Sequence, residues 1–325
     1  MKILVCPLNW GLGHATRCIP LIKKLIAEQH EVIIASDGHP LQLLKEVFPD
    51  LRFIHSTSYN IRYNKGKSQV TAMFRSLPEI FFGIIREHRW LHQLNKQEHF
   101  DQIISDNRFG LWNKNIYSIY MTHQLMVKMP ALLRFMEPFV WLGHRYFITR
   151  YDECLVPDYS GADNLSGDLS HRYPLPGHIQ FIGPLSRFTN VTIDTSIAEA
   201  YDTVVLISGP EPQRTLFEEQ MIQTFSSKKE KVLIVQGLPG NKKIETSQGD
   251  ITLVPHIPTE VMAAHLKLAG TIICRSGYST IMDLVALDCL HKAILIPTPG
   301  QTEQEYLAKY LHKKTAGKLP AVCVN

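Results

Sequence analysis

Along the chain, short unbroken apolar runs alternate with longer segments whose apolar residues recur every three or four positions. Ile3–Cys6 is a run of the first kind, and Ala15–Gln29, with Ile19, Ile22, Leu25 and Ile26, is a segment of the second. Val32–Ala35 predicts another buried strand and Leu41–Val47 a helix, with further strands at Gln102–Ser105 and Ile116–Met121. Continuous apolar strands set between helices predict a parallel sheet covered on both faces. The pattern pauses at 157–180, rich in Gly, Pro, Ser and Asp, and restarts after Phe181-Ile182-Gly183-Pro184. Strands then come at Thr203–Ile207, Lys231–Val235, Ile251–Val254, Thr271–Cys274 and Ala293–Ile296. Helices lie between and after them at Thr215–Phe225, Val261–Leu268, Thr280–Leu287 and Glu303–His312. The expected architecture is α/β: two Rossmann-like, doubly wound parallel-sheet domains, 1–184 and 185–325, facing across a cleft. Ligands should sit at the carboxyl ends of the strands.

Composition changes this picture little. The 325 residues suit two domains, and the balance of 45% hydrophobic and 20% charged residues is that of globular proteins. A formal charge of +4 suits phosphorylated substrates or anionic surfaces and is too weak to argue for nucleic acid. The six cysteines, at 6, 18, 154, 274, 289 and 323, form no close pair for redox or zinc chemistry and read as buried thiols of a reducing compartment. The chain opens on a strand rather than an apolar leader. The best membrane-span candidate, Leu132–Tyr146, is interrupted by Arg134, Glu137, His144 and Arg145. The expectation is a cytoplasmic protein.

The first strand leads into Asn9-Trp10-Gly11-Leu12-Gly13-His14-Ala15-Thr16-Arg17. Gly11 and Gly13 allow backbone N–H groups close to a ligand, and His14 falls at a helix start, where imidazolium is disfavoured. Three readings stand. A dinucleotide fingerprint has Asp37 in its favour but Thr16 where a third glycine is required. A structural helix start is the second. A general base at His14, deprotonating an acceptor hydroxyl, is the third, favoured because the C-terminal half supplies a donor site.

After the strand Ile272-Ile273-Cys274 come Arg275-Ser276-Gly277-Tyr278-Ser279-Thr280 and a helix containing Asp283. Small residues at a helix start can cradle a diphosphate, and a carboxylate one turn further on can accept ribose hydroxyls. Gln301, Glu303 and Gln304 start the next helix, placed to read sugar hydroxyls. Each also has a plain structural reading: a surface ion pair for Arg275, capping for Ser279 and Thr280, helix-dipole complementation for Asp283. Their joint spacing favours a donor site.

This segment resembles the C-terminal domain of family 28 glycosyltransferases. That family includes the N-acetylglucosaminyltransferase of the lipid-linked peptidoglycan precursor and the diacylglycerol glycosyltransferases. Gly11-Leu12-Gly13-His14 matches the family's Gly-rich loop and proposed base, 275–283 its phosphate and ribose segment with Asp283 where Glu is common, and Gln301–Gln304 its sugar-reading segment. Ser208-Gly209 resembles the turn at the diphosphate, with Pro210 and Pro212 as departures. Gly183–Arg187 resembles the interdomain hinge, with Arg187 near the phosphates. His256-Ile257 falls where an aromatic ring covers uracil and the next backbone reads its edge, here with His for the usual Phe. Met121-Thr122-His123-Gln124 falls among acceptor-side polar residues.

The resemblance implies the GT-B fold and metal-independent, inverting transfer from a nucleotide sugar, a UDP-sugar, to a hydroxyl of a glycan, lipid-linked or small-molecule acceptor, cell-envelope glycans among them. No cofactor and no metal is expected; consistently, no Asp-x-Asp pair is present. In this fold a last helix usually crosses back to the first domain, whereas this sequence ends at Val322-Cys323-Val324-Asn325, soon after its last recognisable helix.

On the acceptor side, Asp106 and Arg108 follow a strand end. Asp106 is placed to orient His14 and Arg108 to bind an acceptor phosphate or carboxylate, or the two pair with each other. Phe74–Leu94 and Leu132–Tyr151 mix Phe, Trp and Ile with cations, as an interfacial helix or a helix packed on a sheet does. Glu79, Glu87 and Glu137 favour packing, since anionic lipid would repel them, and peripheral membrane contact is the alternative. Two further classes remain open: a nucleotide-sugar hydrolase of the same fold, whose His activates water, and a non-catalytic nucleotide-sugar-binding protein.

Overall fold

A computed structural model describes residues 1–56, 70–240 and 246–315. The C-terminal segment Val322–Asn325, with Cys323, lies outside the described residues. The chain divides into two compact units, the first drawn from 1–9, 14–62 and 68–185, the second from 10–13, 63–67 and 186–325.

The first unit runs β1 (Lys2–Pro7), α1 (Gly13–Ala27), β2 (Glu31–Ser36), α2 (Gly38–Val47), β3 (Arg52–His55), α3 (Val70–Glu98), β4 (Gln102–Asp106) and β5 (Tyr117–Met121). A 3₁₀ stretch, Ala131–Met136, then leads directly into α4 (Glu137–Ile148), followed by β6 (Glu153–Val156), α5 (Asp168–His171) and β7 (Ile179–Phe181). The sheet order is β3-β2-β1-β4-β5-β6-β7, parallel throughout. Ile3, Leu4, Val5 and Cys6 are all buried, as expected of a central strand covered on both faces. Leu4, Cys6, Ile33, Ala35 and Ile103 form one core with Leu91 of α3 and with Phe100, Leu111 and Ile116.

At the amino ends of these strands, charged groups close the sheet. The Lys2 backbone N–H donates to Asp101 Oδ2 at 2.6 Å and its Nζ to Glu98 Oε2 at 2.8 Å, while Arg52 donates to both Glu98 oxygens at 2.6 and 2.8 Å. The Arg52 guanidinium and the Lys2 ammonium hold the Glu98 carboxyl down at about 2.

The second unit runs β8 (Thr203–Leu206), α6 (Gln213–Phe225), β9 (Val232–Val235), β10 (Thr246–Gln248), β11 (Ile251–Val254), α7 (Thr259–Leu268), β12 (Thr271–Cys274), α8 (Tyr278–Ala286), β13 (Ala293–Leu295) and α9 (Thr302–Lys314). Its order is β10-β11-β9-β8-β12-β13, with only β10 antiparallel. Phe217, Met221 and Phe225, spaced four apart on α6, pack on Val205, Val232, Ile234 and Ile273. In both sheets the strand order reverses beside the first strand of the unit, at β1/β4 and at β8/β12. The ligand crevice of such sheets therefore opens at the carboxyl ends of those pairs.

Candidate active site

At the carboxyl end of the first sheet, Asp106 closes β4, paired in register with Pro7 of β1 on one side and Met121 of β5 on the other. Helix α1 reaches its fully buried carboxylate directly, and His123 joins the cluster through Arg17. From α1, Arg17 donates through Nε to both Asp106 oxygens at 3.0 Å and through Nη2 to Oδ1. His14, one turn earlier on the same face, has Nδ1 3.0 Å from Oδ2. His123, just past β5, accepts a hydrogen bond at Nδ1 from Arg17 Nη1 at 3.0 Å.

The His14 ring nitrogen also lies 3.0 Å from Arg17 Nη2. One nitrogen cannot donate to the carboxylate and accept from the guanidinium together. An unprotonated Nδ1 would set its lone pair against a carboxylate oxygen only 3.0 Å away, so the carboxylate decides the tautomer: Nδ1 carries the proton and donates to Asp106. Nε2 then holds the lone pair, as a proton acceptor requires. Burial lowers the His14 pKa from its ordinary value; Asp106 opposes that and Arg17 reinforces it, leaving the ring neutral near neutral pH. Burial alone would raise Asp106, but Arg17 and His14 hold it below the usual carboxylate range.

The expectation that Arg108 faces an acceptor is corrected by the structure. Asn107 turns the backbone with φ 60°, and Arg108 runs inward to donate to Glu87 Oε1 at 2.7 Å and Ser56 Oγ at 2.9 Å, almost fully buried. Nor does it pair with Asp106. Gln124 is half-buried, its N–H held by Thr122 Oγ1 at 3.1 Å. In the Gly-rich loop Gly11 has φ +82°, a conformation that favours glycine, and Gly13 is the first residue of α1.

In the second unit, Asp283 lies on α8 and accepts from Ser186 Oγ at 2.6 Å, with Arg187 Nε 3.9 Å away. Burial raises its carboxyl to about 6 against the opposing pull of Arg187 and the Ser186 hydrogen bond. The largely buried Arg187 has no hydrogen-bond partner at Nε, and burial lowers its pKa. Ser208 and Gly209 follow β8, Gly209 with φ +104° and open space where a Cβ would stand. On the other side of the β8/β12 switch point, Gly277 caps α8 without a side-chain bond, and Ser279 and Thr280 lie in its first turn, whose N–H groups have no acceptor within a helix. His256 and the buried Ile257 lie between β11 and α7.

Two donor-site candidates, Arg275 and Gln304, make bonds within the protein. Arg275 stacks its guanidinium on the Phe217 ring at 4.0 Å and donates from Nη1 to Pro297 O at 3.0 Å, its buried Nε makes no hydrogen bond, and burial lowers its pKa to about 10. Gln304 spends its side-chain oxygen on Thr298 N at 2.9 Å, and its backbone oxygen accepts from the buried Ser276 Oγ at 2.8 Å. Both Ser276 and Gln304 thus tie the start of α8 to the start of α9. Gln301 is the N-cap of α9 and Glu303 lies in its first turn, both half-buried.

Sequence reasoning assigned no role to Arg17 or Ser186. Arg17 stands three residues after His14 on a helix, so its place on the His14 face was readable. Ser186 carried no signal beyond its place beside Arg187. Among the described residues, no group of three or more His, Cys, Asp or Glu side chains converges on a point that could hold a metal, and no helix is long and apolar enough to cross a membrane.

Residues 204–321 match the glycosyltransferase family 28 C-terminal domain. A Methanosarcina acetivorans protein named "Uncharacterized glycosyltransferase" is 27% identical over 98% of this chain and 83% of its own length, and a second of that name and organism is 20% identical over 98% and 85%. Among solved structures, the spinosyn rhamnosyltransferase SpnG complexed with thymidine diphosphate aligns with a TM-score of 0.60 over 97% of this chain and 85% of that one, at 13% identity. Acinetobacter baumannii MurG aligns with a TM-score of 0.51 over 98% and 85%, also at 13% identity. At such identities the structural likeness carries the fold, and the matched domain carries the activity class. The chain is a glycosyltransferase of the GT-B fold, similar over residues 204–321 to the glycosyltransferase family 28 C-terminal domain.

Proposed function

We propose that the protein is an inverting, metal-independent transferase that moves a sugar from a UDP-sugar to an acceptor hydroxyl, with His14 as general base. The carrying observation is the His14–Asp106 pair, which leaves His14 Nε2 unprotonated and Nδ1–H anchored. In the step proposed, Nε2 takes the acceptor's hydroxyl proton and the freed oxygen attacks the anomeric carbon from the face opposite the diphosphate. The bond from that carbon to the diphosphate oxygen breaks, and its electron pair leaves with UDP. Asp106 stabilises the imidazolium formed. Arg187, whose buried Nε makes no hydrogen bond, and the first-turn N–H groups of α8 supply the charge stabilisation for the leaving diphosphate. Asp283 takes the ribose hydroxyls, the backbone at Ile257 the base edge with His256 over its face, and Gln301 and Glu303 the sugar. The acceptor is a glycan, a lipid-linked sugar or a small molecule.

The test measures UDP release from a panel of UDP-sugars in EDTA, with and without acceptor extracts; a thymidine-diphosphate sugar joins the panel because SpnG binds that nucleotide. The expected result is release that depends on the acceptor and survives the chelator. Full-rate release in buffer alone marks a hydrolase, and activity lost in EDTA and restored by Mn²⁺ overturns metal independence.

A further inference from the structure

From Ala131 to Ile148 the chain is helical almost without a break, a 3₁₀ stretch running into α4. Its large apolar residues Leu132, Phe135, Phe139, Leu142 and Tyr146 are spaced three, four, three and four apart, which places them on one stripe. That stripe faces outward: the five side chains are 87, 71, 69, 52 and 55% exposed. Two of its polar groups, Glu137 and His144, point the other way. Glu137 is buried, accepting from Met129 N at 3.2 Å and from Arg172 Nη1 at 3.0 Å, and His144 is buried with Nδ1 3.1 Å from Leu125 O. The helix is thus anchored through Glu137, His144, Phe147 and Ile148, and the outward apolar stripe is left to the solvent. With ordinary side-chain areas the stripe exposes on the order of 600 Å², at the upper limit for a monomer's surface patches.

The charges along the stripe identify what covers it. Of the four formal charges between 131 and 150, the single acid, Glu137, is buried and neutralised, while Arg134, Arg145 and Arg150 are all exposed. Arg145 lies over the Trp141 ring at 5.4 Å, and Arg150 over Tyr146 at 4.5 Å and Trp112 at 5.4 Å. Aromatic rings beside arginines at the rim of an apolar stripe match the headgroup level of an anionic bilayer. The acids that favoured packing from sequence also lose their force: Glu137 and Glu87 are both buried in ion pairs, leaving only Glu79 exposed.

We infer that the 131–150 helical face docks on an anionic phospholipid surface, with Leu132, Phe135, Phe139 and Leu142 entering the acyl boundary and Arg134, Arg145 and Arg150 holding lipid phosphates. This docking requires neither nucleotide nor acceptor, so its test is independent of the transferase reading. The full-length chain is sedimented with vesicles of phosphatidylcholine alone and of phosphatidylcholine with phosphatidylglycerol. Binding to the anionic vesicles is expected, weakened by salt. Phe135→Ser with Phe139→Ser should weaken it about tenfold or more, and Arg134→Gln with Arg145→Gln about 30-fold. Because these side chains are exposed, the thermal transition should be unchanged; where a double variant loses it, Leu142→Gln alone serves in its place. Failure of the wild-type chain to bind anionic vesicles overturns the inference, as do variants that bind equally well. So does a dimer in sedimentation velocity that Phe135→Ser with Phe139→Ser converts to monomer, which would make a second copy the occupant.

Discussion

In the step proposed, His14 works through Nε2 while Asp106 holds Nδ1, and the kinetics should show this division. His14→Ala is expected to lose about 10²–10⁴-fold in kcat with UDP affinity nearly unchanged. In the wild-type enzyme, kcat/KM should fall on the acid side through a group whose pKa lies below the ordinary histidine value, and His14→Ala should lose that limb. If turnover survives the substitution, His123 is the next candidate base. Asp283 offers a second test, in which binding and stability move in opposite directions. Its carboxyl sits at about 6 when folded and near 3.8 when unfolded, so the folded chain binds the proton more tightly. Ionised Asp283 therefore costs stability above about pH 6, and the cost disappears below pH 4. Asp283→Asn should raise stability at pH 7 by about 1–3 kcal/mol, have no such effect at pH 4, and weaken UDP and uridine alike. Unchanged UDP affinity would remove the ribose assignment. The places of His14, at the start of α1, and of Asp283, one turn into α8, were readable from sequence because each helix follows a strand end. Arg108 was not, because a single left-handed residue, Asn107, reverses the direction its side chain takes.

At the scale of elements, the two helices that begin the donor segment are fastened to each other rather than standing ready separately. Ser276 and Gln304 make that fastening, Arg275 ties the end of β12 to α6 and to the Pro297 carbonyl, and each resembles a ligand-binding residue in the sequence because small, amide and cationic side chains serve both purposes. Arg275→Ala should accordingly lower stability by about 2–4 kcal/mol, by removing the Phe217 stack and the bond to Pro297 O, as denaturant unfolding would report. UDP affinity of the folded variant should stay within a few-fold of wild type; a loss of a hundredfold would return Arg275 to the phosphate. The apolar strands of both sheet centres were legible because burial on both faces leaves them no polar positions. The strands at β3, β6, β7 and β10 were not. They are three or four residues long, most carry polar side chains, and β3, β7 and β10 stand at sheet edges where one side needs no partner.

Across the whole chain, the repeated alternation of strand and helix made two parallel sheets legible, and with them the ends of the strands where chemistry belongs. Which side chains meet there was less so, since Asp106, Arg17 and His123 come together from three segments whose register only the folded sheet sets. The first sheet also has a polarity. Lys2, Arg52, Glu98 and Asp101 lock its amino ends, while His14, Asp106 and His123 stand at its carboxyl ends. Substitutions in the loops at the carboxyl ends therefore leave the clamp intact, and substitutions in the clamp leave the His14–Asp106 pair intact. A lineage carrying this sheet can exchange one acceptor for another by loop variation while its stability is held at the far end, so descendants that keep the clamp and the His14–Asp106 pair are free to diverge in what they glycosylate.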